Sequence, residues 1–314
     1  MEIPESFFDS EVRDGFYIPS FMKRSWAATL QVLDEMSKVC LRHDIKWWID
    51  WGSLLATVRH RGFIPWDDDL DVSMMREDYM KFNRYAMDEL PEGYFVNNIY
   101  NNPAFDEYHT RLLNSKDIDR SERFLNRNHG FPYLAGVDIF CIDYVNPDKR
   151  EDERISSLIY SIGSIATNLP SDIYLKDIPQ FKGVINDIEA ISGFSVNDDE
   201  PVRQQINKIC DTLMQSTKEE DATHVTCMVL HTGRENYSGL FPKEYYEKFI
   251  YLPYEFLMVP APLHYDKILR TIFGDYMKPY RGGGVHEYPY YKAQENKLNE
   301  SGHGLLRQKY SYEI

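Results

Sequence analysis

The run Asp69-Leu70-Asp71-Val72 alternates carboxylate and apolar side chains, and few folds can accommodate it. In an extended strand successive side chains point to opposite faces, so the two carboxylates share one face, about 7 Å apart along the backbone. The strand must then bury its other face beside its charges, and burial of a charge without a counter-ion is costly. A hard divalent cation shared by Asp69 and Asp71 meets that need. Clustered acids usually mean a solvated charge run, but here Leu70 and Val72 interleave with them and Ile64-Pro65-Trp66 lead in. An EF-hand is excluded: acids fall at loop positions 1, 3 and 5 counted from Asp67, but the sixth is Val72, where that loop turns on Gly.

Upstream, the strand-like segment 45–50 runs into Gly52-Ser53 and then Leu54-Leu55-Ala56-Thr57-Val58, which reads as the first turns of a helix. Alone, Gly-Ser is an ordinary loop signal. Followed by an acid-x-acid strand it forms a phosphate-handling arrangement, in which the helix end takes a phosphate and a metal bridges its oxygens. Asp138, at the head of the apolar strand Gly136-Val137-Asp138-Ile139-Phe140-Cys141-Ile142-Asp143, supplies a third carboxylate or, alternatively, a strand-end turn. At the metal it would be placed to act as general base for an incoming hydroxyl. Arg59, His60, Arg61 and Arg111, and Lys278, Arg281 and His286 of a Gly-rich loop, are either surface residues or phosphate ligands. Four tryptophans, Trp47, Trp48, Trp51 and Trp66, fall close to these motifs, and aromatic rings can cage a quaternary ammonium group.

The rest of the chain is read around this segment. Residues 1–15 form an acidic lead-in, and from Pro19 an amphipathic helix of about six turns reaches Arg42-His43. Residues 1–44 are taken as a helical lead-in packed on the core, 45–146 as the catalytic core, 147–250 as a mainly helical appendage, and 251–314 as a segment that completes the site. Residues 115–128 read as a mobile connection. The 314 residues carry 35 Lys and Arg against 50 Asp and Glu, a net charge of −15, which argues against nucleic acid or anionic lipid as a partner. A phosphate-bearing substrate would need local help from metal and Arg. No apolar run approaches the ~20 residues of a membrane span, and the acidic start lacks the order of a signal peptide. A cytoplasmic protein is expected. Cys40, Cys141, Cys210 and Cys227 are too scattered for a disulfide framework or a zinc knuckle.

The segment from Gly52 through Arg61-Gly62-Phe63-Ile64-Pro65-Trp66-Asp67-Asp68-Asp69-Leu70-Asp71 to Arg76 and Asp78-Tyr79 resembles the signature of the LicD family of phosphocholine transferases. Val137-Asp138-Ile139-Phe140 with Ile142-Asp143 is similar to that family's second acidic block, and Phe273-Gly274-Asp275-Tyr276-Met277 to its C-terminal block. Ala56 stands where the family often has Gly, and the residues after Met277 depart from its Pro-rich, paired-His pattern. The resemblance implies an α/β (α+β) fold, a nucleotidyltransferase-like mixed sheet flanked by helices, and use of Mg²⁺ or Mn²⁺. It implies transfer of phosphocholine from CDP-choline to a hydroxyl of a cell-surface glycan or its lipid-linked precursor. Asp69, Asp71 and Asp138 would then be metal and catalytic carboxylates. Substrate would be met by Gly52, Ser53, Arg59, Arg61, Trp66, Asp67, Asp68, Arg111, Lys278 and Arg281. The alternatives are another CDP-linked alcohol (ethanolamine, glycerol, ribitol), a non-catalytic nucleotide- or glycan-binding protein on the same fold, and a nucleotidyltransferase that releases pyrophosphate.

Overall fold

The computed structural model describes residues 1–233, 239–279 and 288–300, so Arg281 and His286 lie outside the described residues. The lead-in is more ordered than its composition suggests. Strands β1 (Glu11–Arg13) and β2 (Phe16–Ile18) pair as a hairpin across Asp14-Gly15, both at positive φ (53° and 71°), the geometry for which Asp-Gly turns are favoured. The hairpin is pinned to the body by ion pairs: Glu11 meets Lys23 and Arg13, and Arg13 meets Glu255 at 2.8 Å.

Helix α1 (Ser20–Arg42) buries Trp26, Leu30, Leu33 and Met36 at helical spacing, as the sequence pattern predicts. It is followed by β3 (Trp48–Ile49), α2 (Trp51–His60), β4 (Asp71–Met75), α3 (Arg76–Glu89), β5 (Phe95–Asn97) and β6 (Thr110–Leu113). The supposed mobile connection contains α4 (Glu122–Arg127), capped by the Ser121 hydroxyl. Arg127 donates to the carbonyls of Glu92 and Asn114, contacts that tie the helix down and are invisible to local composition.

Strand β7 (Gly136–Val145) is the spine of the molecule. The main sheet runs β3-β4-β7-β6-β5; β4 and β7 are parallel, and the other pairs are antiparallel. Val137, Ile139 and Cys141 turn from one face of β7 into the main core, against α1 and α3. The opposite face carries Gly136, Asp138 and Phe140.

Helices α5 (Lys149–Thr167), α6 (Lys182–Ser192) and α7 (Val202–Met214) enclose a second hydrophobic cluster built on Ile155, Ile159, Ile185, Ile206 and Ile209. Its link to the main core is a buried charge network. Arg76 forks onto Asp143 of β7 (both bonds 2.7 Å), reaches Asp211 of α7 at 2.8 Å, and Tyr100 donates to the same Asp211. Beyond α7, β8 (His224–Thr226) pairs with β7 and is followed by α8 (Met228–Gly233). Beyond it come β9 (Phe241–Pro242), the hairpin β10 (Phe249–Tyr254) and β11 (Leu257–Pro262), then α9 (Tyr265–Phe273) and α10 (Lys292–Glu300). The architecture is a central mixed sheet flanked by helices. No helix of the described residues is long and apolar enough to cross a membrane.

Candidate active site

The register of the sheet assembles the site. Asp71 of β4 pairs with Asp138 of β7, Asp138 with Arg111 of β6, and Arg111 with Asn97 of β5. Directly paired residues point to the same face, so the four form a polar row across four strands. Asp50 extends it, because its backbone N–H donates to the Asp71 carbonyl at 3.1 Å. Leading into the row, Asp68, Leu70 and Val72 are buried (1%, 1% and 0% exposed) while Asp67, Asp69 and Asp71 are partly open. The period of two predicted for Asp69 and Asp71 thus begins at Asp67, although paired strand starts only at Asp71.

Crowding of like charges shows in the acids. Burial pushes the Asp71 carboxyl well above its usual range, helped by Asp69, Asp138, Asp67 and Asp50. Burial likewise raises Asp50, against hydrogen bonds from Trp51 N–H (2.9 Å) and the Trp48 indole (3.2 Å). Asp138 behaves oppositely. Burial would raise it, but hydrogen bonds from His109 and Arg111 prevail and hold it well below the ordinary carboxylate value. Arg111 grips both its oxygens, Nε to Oδ1 at 2.7 Å and Nη2 to Oδ2 at 2.9 Å, and His109 Nε2 lies 3.5 Å from Oδ1 and 3.2 Å from Glu107.

The helix end differs in detail from the expected phosphate turn. Helix α2 starts at Trp51, two residues before Ser53, with Asp50 as its cap and Trp51 at φ 49°. Ser53 is buried, and its hydroxyl accepts the Asp71 N–H at 2.9 Å, so the side chain locks β4 to α2. A Cβ on Gly52 would lie 3.4 Å from Asp67 Oδ2. The positive end of α2 therefore already faces two carboxylates of the protein, Asp50 and Asp67, an arrangement its dipole favours.

The remaining sequence candidates scatter. Arg59 is partly buried beside the site; burial lowers its pKa against the pull of Asp14 and Asp67, and its guanidinium holds the Tyr276 carbonyl at 2.9 Å. Arg61 closes α2 at φ 57° with an exposed side chain, and its carbonyl accepts from Glu255 N–H. Asp68 turns inward and accepts Tyr290 N–H at 2.8 Å, fastening the C-terminal segment to the site. Lys278 is exposed. Trp66 and Tyr288 both meet Phe16 edge-on, with centroids 6.1 and 5.8 Å apart, and the Tyr288 hydroxyl donates to the Pro65 carbonyl.

Sequence reasoning missed Asp50, His109 and Asn97. Two had a signal. An acid directly before a helix is a cap, and His109-x-Arg111-x-Leu113 with Thr110 and Leu112 buried repeats the period of two. Asn97 had none, because only the strand register brings it to the row.

Residues 44–130 match the family described as "LicD/FKTN/FKRP, nucleotidyltransferase domain", a span that holds Asp50 to Arg111 and excludes Asp138. These residues are a LicD-family nucleotidyltransferase domain. Similar proteins include the lipopolysaccharide cholinephosphotransferase LicD of Haemophilus influenzae, 42% identical over 65 residues, which is 21% of this chain and 24% of that protein. An uncharacterized protein of Rickettsia typhi is 39% identical over 72 residues, 22% of this chain and 23% of that one. A second, from Rickettsia prowazekii, is 38% identical over 66 residues, 21% and 25% of the two chains. The matched stretch thus spans about a quarter of each relative's length, and it is a LicD-domain likeness rather than a whole-chain one.

Proposed function

We propose that the chain transfers phosphocholine from CDP-choline to a hydroxyl of a glycan or its lipid-linked precursor, in a Mg²⁺-dependent reaction. The observation that carries the reading is the polar row, with Asp71 and Asp138 in register beside the partly open Asp67 and Asp69, in a LicD-type domain. The donor set fits the metal: all the ligands on offer are hard carboxylate oxygens, and Asp71 sits among like charges that a cation would relieve. Among the described residues no group of three or more His, Cys, Asp or Glu side chains stands at metal-ligating spacing.

Asp69 and Asp71 would hold the ion, with Asp138 alongside, and when bound it would supply charge neutralisation for the diphosphate. The protein's own part is positioning. Ser53 fixes β4 against α2 and so sets where Asp71 points. Asp138, kept ionised by Arg111 and His109, accepts the hydrogen bond of an acceptor hydroxyl and orients it, but is a weak base while so gripped. Catalysis then rests on proximity and electrostatics. Trp66 directly precedes Asp67 and its ring meets Phe16, which also meets Tyr288; an aromatic group of this kind suits a cationic head group better than a polyol. Phosphorus NMR of CDP-choline with enzyme, Mg²⁺ and a glycan extract tests the reading. Release of CMP with a new phosphodiester signal, lost in Asp71→Asn, is expected; release by the folded mutant at the wild-type rate would refute it.

A further inference from the structure

The loop from α2 to β4 carries Asp67 and Asp69 before paired strand begins at Asp71, so the placement of these two acids depends on what holds the loop. Its root is held by Arg13 and Glu255, both outside the matched residues 44–130. The Glu255 carboxylate accepts from Phe63 N–H at 3.1 Å and from Arg13 Nη1 at 2.8 Å, and Glu255 N–H donates to the Arg61 carbonyl at 2.7 Å. Arg13 Nη1 also donates to the Phe63 carbonyl at 3.1 Å, so a single ion pair engages both backbone polar groups of Phe63. One residue on, the Ile64 carbonyl accepts from Asp67 N–H at 3.0 Å, which passes the hold to the first acid.

Two backbone features point to the Glu255 side chain as the purpose of this contact. Glu255 is the first residue of the two-residue turn between β10 and β11, where Tyr254 pairs with Leu257, and its φ is 52°. Tight hairpins favour Gly at such a position, and a Glu there carries backbone strain that persists only where its surroundings fix it. The side chain is 9% exposed. Gly62 is its complement. This glycine is not at positive φ, so its missing side chain serves space: a Cβ there would lie 2.2 Å from Glu255 Oε1 and 2.5 Å from its Cδ. Gly62 is thus the seat of the Glu255 carboxylate.

We propose that Glu255 is a positioning residue: seated against Gly62 and paired with Arg13, it holds the acid run 67–71 in the geometry that takes a divalent cation. The cation rests on the function proposed above, whereas the hold on the loop backbone does not. Glu255 acts through Phe63 and Ile64 and is given no contact with substrate. A salt bridge that only stabilised the fold would affect the cation no more than an equal loss of stability elsewhere; a positioning residue weakens the cation site in a protein that is still folded.

The test combines titration of Mn²⁺ alone, followed by electron paramagnetic resonance, with hydrogen-exchange mass spectrometry of residues 63–70 in the metal-free protein. Glu255→Gly removes the side chain while easing the turn, and Gly62→Ala evicts the carboxylate with the residue still present; if one fails to fold, the other carries the test. Ile206→Ala, fully buried in the second hydrophobic cluster, is the control for stability lost far from the site. Melting temperatures confirm folding. Mn²⁺ binding weakened about fivefold or more in each single variant, within about twofold of that in the double variant and unchanged in Ile206→Ala, with faster exchange over 63–70 in Glu255→Gly, is the expected result. Mn²⁺ affinity within about twofold of wild type in folded Glu255→Gly, unchanged exchange over 63–70, or an equal loss of affinity in Ile206→Ala would overturn the proposal. Losses that multiply to about 25-fold in the double variant would also do so, because Gly62 would then act apart from Glu255. Failure of the wild type to bind Mn²⁺ would instead overturn the metal reading, and the exchange of 63–70 would still decide whether Glu255 holds the acid run.

Discussion

Asp71 is the residue on which chemistry and stability pull in opposite directions. Its charge is crowded by Asp69, Asp138, Asp67 and Asp50 in a buried setting, so the metal-free fold carries a repulsion that only a cation or a proton relieves. Asp71→Asn should abolish transfer while leaving the metal-free melting temperature unchanged or higher; a marked loss of stability would show that the carboxylate is structural. Trp66 makes a second case. If its ring faces the donor's trimethylammonium group, Trp66→Ala should weaken CDP-choline by about 1–2 kcal/mol and CDP-glycerol much less, in a titration of both. The sharing of a face by Asp69 and Asp71 was legible because a period of two needs no tertiary knowledge. The grip of Arg111 on Asp138 was not, since it depends on the antiparallel register of β6 against β7, and neither sequence segment states it.

At the level of elements, the helix α1 and the strand β7, which carry strong apolar periodicity, were readable, and elements held by long-range polar contacts were not. Helix α4 and the β1-β2 hairpin belong to the second class: one hangs on Arg127, the other on the ion pairs of Glu11 and Arg13. The hairpin should loosen in acid. Burial acts to raise the Glu11 carboxyl, but hydrogen bonds and charge from Lys23 and Arg13 prevail and lower it. A depressed carboxylate contributes stability above its unfolded pKa and loses it as pH falls through the folded value. The melting-temperature advantage of wild type over Glu11→Gln should therefore be present near pH 6 and shrink below about pH 4. A gap that stays constant across that range would contradict the pairing. The joint between the two hydrophobic clusters is more demanding: Arg76→Ala leaves the buried Asp143 and Asp211 without their counter-ion and should cost about 3–5 kcal/mol, read from a urea unfolding midpoint.

Across the whole molecule, the acidity that argues against nucleic acid is also concentrated where a phosphate donor would have to come. A protein of net charge −15 with a row of carboxylates at its site repels a diphosphate unless a cation intervenes. The central claim is therefore a three-way dependence of donor, metal and acid row, and isothermal titration of CDP-choline and CMP, each with and without Mg²⁺, tests it most directly. The proposed function predicts binding of CDP-choline that needs Mg²⁺, exceeds that of CMP and is lost in Asp71→Asn; CDP-choline that fails to bind, or binds equally well without metal and to the mutant, would contradict it.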